Sequence, residues 1–592
     1  MSDDAAPPRG LFIARLAIGL IQGLVLYILY RASDAQGWPA NDPTLFASLA
    51  LIALYVPLLV TQAAGSMRLQ TLIAWTLAAT AVCAGLGFYD RFRASVIVIT
   101  SPDDILPNFS TFFFGFAALF IAQSLVGAGD HERRVVATYD SYFDAAWKLG
   151  VQLALSTLFV GVFWGVLWLG AMLFDLIKLD FIEKLIEHDW FAIPATTLAT
   201  AAAIHLTDVR ARLVAGIRNV VLTMLAWLLP LLTIIAVGFL LSLFVTGLQP
   251  LWQTKEATSG LLVACAALVV LINAAYQNGE DARPGALRYS EAAASFALAP
   301  LVGLSIYAVS LRVGQYGWTV DRIASAACLL IATCYAFGYA AAALFSLRGG
   351  VWMEFVQRCN IVAAFLVIAI VLALFSPIAD PARISVNDQV ARLQAGKIGP
   401  DKFDFYYLHT EGGRFGDAAL KMLAQSSNPA IRKDAQYQLD VQKPSLPTPK
   451  NYNMALNLTV YPKGTALPPG FFKQNWANVK SDFSVPACLT VAQEPCDAIL
   501  ADLDNDGTNE VIVINGTDAS WWGTVIQKNP AGIWTPIAYM PTPHCAGDLT
   551  ALENGTYKLV VPPPPAMRAI SIGGHYVLVK MADTSTDPVC KP

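Results

Sequence analysis

Up to about residue 376 the chain repeats one pattern: a long, nearly uninterrupted apolar run, a short polar joint, then another apolar run. A helix rising about 1.5 Å per residue needs about 20 apolar residues to cross some 30 Å of hydrocarbon. About eleven runs meet that length, near 11–30, 44–63, 70–89, 109–128, 150–174, 191–206, 218–247, 258–277, 290–312, 319–346 and 353–376. The sixth is the shortest and most polar. The seventh approaches thirty residues with Pro230 inside it, which predicts a tilted, kinked or broken span. The first run ends in bulky side chains from Tyr27 to Arg31 rather than at a small-residue cleavage site, so it is expected to stay as an anchor.

Beyond Asp380 the period changes. Residues 380–440 read as short helices, one capped by Ser385 and ending at Gly396, another opened by Asn428-Pro429. A Pro-rich connector, extended and semi-rigid, is expected over 441–470. From 471 to 592 the runs EVIVIN, WWGTVIQ, IWTPIAYM, YKLVV and HYVLVK alternate with turn residues, which predicts a small β-rich domain. The expected fold is therefore an all-α polytopic transmembrane domain over 1–379, then the helical segment, the connector and the β-rich domain.

Composition supports this division. The chain is 56% hydrophobic and 14% charged with a mean hydropathy of +0.52, whereas soluble domains carry about 25% charged residues. Residues 1–379 hold 13 of the 34 prolines and 44 charged side chains; the remaining 213 residues hold 21 and 38. The net charge of −4 divides as −2 and −2, which offers nothing to a nucleic acid. With a cytoplasmic N-terminus, the inner loops collect thirteen Lys and Arg residues against eight outside, and an odd span number puts the C-terminal domain in the periplasm. Cysteine usage agrees. Five cysteines lie in apolar runs, while Cys488, Cys496, Cys545 and Cys590 form an even set in the tail, which suggests two disulfides in an oxidising compartment. The absence of a Cys-x-x-Cys pair argues against zinc at these positions.

Between the spans, residues 131–149 read as an amphipathic helix on the inner surface, with Arg133 and Arg134 among headgroups and Tyr139, Phe143 and Trp147 toward lipid. Residues 175–190 read as a second surface helix. Charges within the spans are scarce: Glu291, Glu354 and Arg358 lie near span ends, where snorkelling accounts for them. Gln123, Asn273 and Asn360 are expected to join helices by hydrogen bonds, and His205 to sit at the surface. Prolines 57, 194, 230 and 300 are candidate helix breaks of the kind transporters use. Asp103-Asp104, in an outer loop, is a pair able to bind a divalent cation or act as a base on a lipid-linked substrate, or else a solvated turn.

The tail carries the clearest chemical motif, Asp502-Leu-Asp504-Asn-Asp506-Gly507-Thr-Asn-Glu510. Oxygens at alternate positions can converge on one hard cation, and the glycine lets the loop turn. An EF-hand places its closing Glu at position twelve, which here is Val513. With Glu at position nine and a β-run on each side, the segment instead resembles the calcium loops of integrin-type β-propeller repeats, though a single copy makes no propeller. Calcium is therefore the expected ligand of Asp502, Asp504, Asp506 and Glu510, stiffening the loop rather than catalysing.

Three segments carry a family likeness: Arg312-Val-Gly-Gln-Tyr-Gly-Trp-Thr-Val-Asp-Arg322, the N-terminal ARLAIGLIQGLVLYILYR, and Lys402-Phe-Asp-Phe with Gly413-Arg-Phe-Gly-Asp-Ala-Ala-Leu420. Over most of 11–425 they resemble the bacterial inner-membrane family catalogued as domain of unknown function 4153. The resemblance implies a polytopic inner-membrane protein and no particular chemistry. The Gln315–Trp318 stretch reads as an interfacial turn, freed by Gly314 and Gly317 and seated by Tyr316 and Trp318. Three functions fit: a non-enzymatic scaffold or accessory subunit, in contact with membrane lipid and a membrane or periplasmic protein; a transporter or channel; and a membrane enzyme acting through Asp103 and Asp104.

Overall fold

The computed structural model describes residues 9–35, 37–94, 105–249, 257–277, 285–348 and 354–441 and, with short gaps, 453–577. The described chain divides into two compact units, Met1–Gln442 and Lys443–Pro592.

Among the described residues of the first unit, eleven helices are long and apolar enough to cross a membrane. They are α1 (Arg9–Asp34), α2 (Pro43–Ala63), α3 (Leu69–Arg93), α4 (Phe109–Glu132), α5 (Tyr139–Asp175), α7 (Asp189–Val209), α8 (Ala211–Thr246), α9 (Ala257–Tyr276), α10 (Gly285–Tyr316), α11 (Val320–Leu347) and α12 (Glu354–Leu374); a short helix, α6 (Phe181–Glu187), precedes α7. The weak sixth run is thus a full span. Its partner is α1, brought close by small residues: a Cβ on Gly23 would lie 2.4 Å from Pro194 Cα, and one on Gly19 would lie 2.7 Å from Ala201 Cβ. Pro57, Pro194 and Pro230, and Pro300 in α10, each lie inside an uninterrupted helix, so none of the expected breaks occurs.

The largest apolar core draws on α5 and α8 through α12, and includes Leu268, Ile272, Leu298 and Tyr339. Here one expectation is corrected. Tyr139 and Phe143 are buried in that core with Trp147 packed against it, rather than facing lipid. The chain turns at Arg133 (φ 56°), and Glu132 accepts the Thr138 amide at 3.1 Å, so α5 starts at Tyr139 as the first turns of a span.

After the last span, helices α13 (Pro381–Gln394), α14 (Phe405–Thr410), α15 (Gly413–Leu423) and α16 (Pro429–Val441) build a small core from Val386, Leu393, Leu408 and Leu420. This helical cap is tied to the spans. Asp380 caps α13 at the Arg383 amide (3.1 Å) and accepts the Tyr89 hydroxyl of α3 at 2.8 Å.

The second unit is a five-stranded mixed sheet in the order β1 (Leu458–Tyr461), β2 (Cys496–Ala501), β3 (Glu510–Thr517), β4 (Ser520–Lys528), β5 (Trp534–Met540), with β1 parallel to β2 and the other neighbours antiparallel. A short helix, α17 (Asp548–Glu553), and a separate hairpin of β6 (Ile570–Ile572) and β7 (His575–Val577) follow. Central strand β3 is apolar on both faces because both are covered: Val511 and Val513 join one core, Ile512 and Ile514 the other. Strand β1 falls inside the stretch expected to be an extended connector. The YKLVV run contributes no strand among its described residues.

Candidate functional site

The acidic motif is the connection between β2 and β3. Pairing of Ala501 with Glu510 closes the hairpin, with Asp502, Asp504 and Asp506 in its loop. The loop is organised by its own carboxylates. Asp502 accepts the Asp506 amide (3.1 Å) and the Gly507 amide (3.0 Å), while Gly507 takes the left-handed turn at φ 85°. Asp504 also accepts the Asp506 amide, at 3.1 Å.

One carboxylate oxygen from each of Asp502, Asp504 and Glu510 lies within 4.8 Å of the others. Calcium sits about 2.3–2.6 Å from its oxygens, so ligands on opposite sides of one ion are about 4.6–5.2 Å apart, and the triad fits that span. Asp506 is not part of the cluster. Its Oδ1 accepts the Thr508 amide at 2.7 Å and the Thr508 hydroxyl at 2.5 Å, bonds that hold its carboxyl below the usual carboxylate range. Glu510 is 1% exposed, accepts the Leu503 amide at 2.7 Å, and has no Lys or Arg partner among the described residues. A buried carboxylate without a cation, beside two more carboxylates, is costly unless a positive charge joins them. Sequence reasoning missed Gln527, whose Nε2 donates to Asp504 Oδ2 at 2.7 Å and to Glu510 Oε1 at 3.4 Å from the next strand. Only the β3–β4 pairing brings it there.

Of the tail cysteines, Cys488 and Cys496 are joined in a disulfide, Cα to Cα 6.1 Å, and both are buried. Cys545 and Cys590 lie outside the described residues, as do Asp103 and Asp104.

The spans hold more buried polar chemistry than the sequence showed. Asn360 donates to Asn273 Oδ1 (2.6 Å) and to the Tyr139 hydroxyl (3.2 Å). The Tyr339 hydroxyl donates to Asn360 Oδ1 (2.7 Å) and accepts from Asn273 Nδ2 (2.7 Å), so one network joins α5, α9, α11 and α12. Gln123 likewise links α4 to Leu59 of α2 and Trp75 of α3. His205 is not at the surface but buried beside Arg15, which is 0% exposed. Arg15 pairs with Asp208 at 2.8 Å, donates to the Ala64 carbonyl at 2.7 Å, and shares Asp208 with Lys148 (3.0 Å). Glu291 is 0% exposed, so it does not snorkel. Asp90, 2% exposed, gathers Arg91, Arg93, Asn108 and Thr111.

The Gln315–Trp318 turn is clamped rather than free. Asp388 accepts the Trp318 amide (2.8 Å), Gln389 donates to the Tyr316 and Trp318 carbonyls (2.9 and 2.8 Å), and Arg392 donates to the Gln315 carbonyl (2.7 Å). Tyr407 OH accepts the Val320 amide at 2.9 Å and hydrogen-bonds Ser385 Oγ at 2.8 Å. The turn thus docks the cap onto the α10–α11 hairpin.

Over residues 23–425 the chain matches a family model described as a domain of unknown function (DUF4153). No curated protein and no solved structure matches it. The matched stretch runs from within α1 through α15 and takes in the clamped turn, and the chain belongs to this DUF4153 family.

Proposed function

We propose that the protein is a non-enzymatic component of the bacterial envelope. Its spans anchor it in the inner membrane with the N-terminus cytoplasmic, and it presents a calcium-stiffened β unit on the periplasmic side to a membrane or periplasmic protein. The observation that carries this reading is the convergence of Asp502, Asp504 and the buried Glu510 at one hairpin. The Cys488–Cys496 disulfide suits an oxidising compartment. The family match ends at residue 425, ahead of the β unit, which fits a module carried on a shared membrane frame. Mild-detergent purification with calcium, followed by mass spectrometry, tests the reading. The expected result is a stoichiometric protein partner, released by a chelator and absent from Asp504→Asn. Retention of a lipid-linked sugar or a small solute, with no protein partner, contradicts it.

A transporter is the second reading, favoured by the buried Arg15, Asp90 and Glu291 and by a cavity of about 360 Å³ among α2, α4 and α5, lined by Gln62, Gln123, Gln152, His131 and Lys148. Solute flux into proteoliposomes that is abolished by Gln152→Leu supports it.

A further inference from the structure

The clamped turn forms one wall of a second cavity, of about 530 Å³, closed on its other side by residues 397–407. The turn joins the end of α10 to the start of α11, two helices long and apolar enough to cross a membrane, so the cavity lies at their shared end. Three cations line it: Arg322, Lys397 and Lys402. Arg322 is partly buried and fixed in place. Its Nη1 donates to the Gly317 carbonyl at 2.6 Å, and its guanidinium lies over the Tyr316 ring, 5.6 Å from the centroid. Among the described residues no carboxylate lies within ion-pair distance of Arg322, Lys397 or Lys402. Asp404 is the one acid among the described lining residues, and its Oδ1 is engaged in capping the Tyr407 amide at 2.9 Å. Thr319, the residue before α11, also lines the cavity, so the positive end of a 28-residue helix, offset in part by Asp321 in its first turn, adds to the field.

Among the described residues, a partly desolvated guanidinium with one hydrogen bond, two ammonium groups without an ion pair and a helix N-terminus line one cavity, a set of groups that suits an anion. The planar fork of Arg322 suits the oxygens of a phosphate. We propose that this cavity binds the phosphate group of an anionic compound, with the lipid headgroup layer as its source. The site is independent of the calcium reading, since it lies wholly in the other unit.

The test reconstitutes the full-length protein in phosphatidylglycerol or phosphatidylcholine vesicles, re-extracts it and counts retained lipids by native mass spectrometry. The Lys397→Gln/Lys402→Gln double variant is compared alongside, because both side chains are exposed and the cap hydrogen bonds of these residues run through their backbone amides, which the substitutions keep. Retention of one phosphatidylglycerol in preference to phosphatidylcholine is expected, weakened about five- to thirty-fold in the double variant at roughly 0.5–1 kcal/mol per lost cation. A parallel arm titrates delipidated protein with inorganic phosphate. Phosphate binding that the double variant loses, without lipid preference, supports the site and assigns it to a soluble phosphate ester. Absence of both, or binding unchanged in the double variant, overturns the proposal.

Discussion

At Gly317, a positive φ of 79° and close packing act together. A Cβ there would lie 2.5 Å from Asp388 Oδ2, 2.7 Å from Arg392 Cδ and 2.8 Å from Gln389 Nε2, the side chains that clamp the turn. Gly317→Ala is expected to loosen the cap by about 1–3 kcal/mol, read as faster amide exchange across α13 in the full chain; unchanged exchange contradicts the clamp. Asp497, in β2, has its carboxyl pushed up, first by burial and then by nearby Glu553. The folded state therefore favours the neutral acid. That preference contributes fully below the unfolded pKa and is lost as pH rises through the higher folded value. Asp497→Asn is expected to raise the β unit's melting temperature at pH 7, with the gain fading toward pH 4. A gain that persists in acid counts against this origin. Single residues were the least legible level of the sequence. The turn chemistry of Gly317 was readable, but its partners lie some seventy positions on and come within reach only after α13 folds back. His205 read as a surface residue because nothing local announces that Arg15, 190 positions away, packs against it.

At the level of elements, the apolar period reported existence and type well, because about twenty apolar residues admit little besides a spanning helix. It failed where one helix serves two roles. The 131–149 stretch has amphipathic spacing, yet Tyr139 and Phe143 face other helices rather than lipid, and period alone does not distinguish two apolar surroundings. In the β unit, β3 was legible as a β-type run, though not as the central strand. Strands β1 and β2 were not, since β1 is four residues long among prolines and β2 opens at a disulfide cysteine. That disulfide ties the segment before β2 to its first residue across a separation of 8. Replacing Cys488 and Cys496 with Ser is expected to cost the β unit about 2–3 kcal/mol by chain entropy, seen as a lower melting temperature than that of the oxidised chain. Equal melting of variant and parent contradicts a closed disulfide.

For the whole molecule, the sequence divided a membrane part from a soluble part because charge and proline density change near Asp380. The structure adds that the first helices beyond that point belong with the spans: Asp380 binds Tyr89, α13 holds the α10–α11 turn, and the compact unit runs on to Gln442. Composition could not show this, since the cap is polar outside and its anchors are single hydrogen bonds. It also understated buried charge, because Arg15 and Asp90 sit near helix ends and become costly or useful only once neighbours enclose them. The acidic loop was legible in its spacing, while the separation of Asp506 from the triad and the arrival of Gln527 required the folded hairpin. The most direct test of the account is calorimetric titration of the full-length protein with calcium, beside Asp504→Asn, an exposed position whose change leaves the sheet intact. The expected result is one calcium bound per chain and loss of that binding in the variant. No binding at millimolar calcium, or binding undiminished in Asp504→Asn, contradicts it.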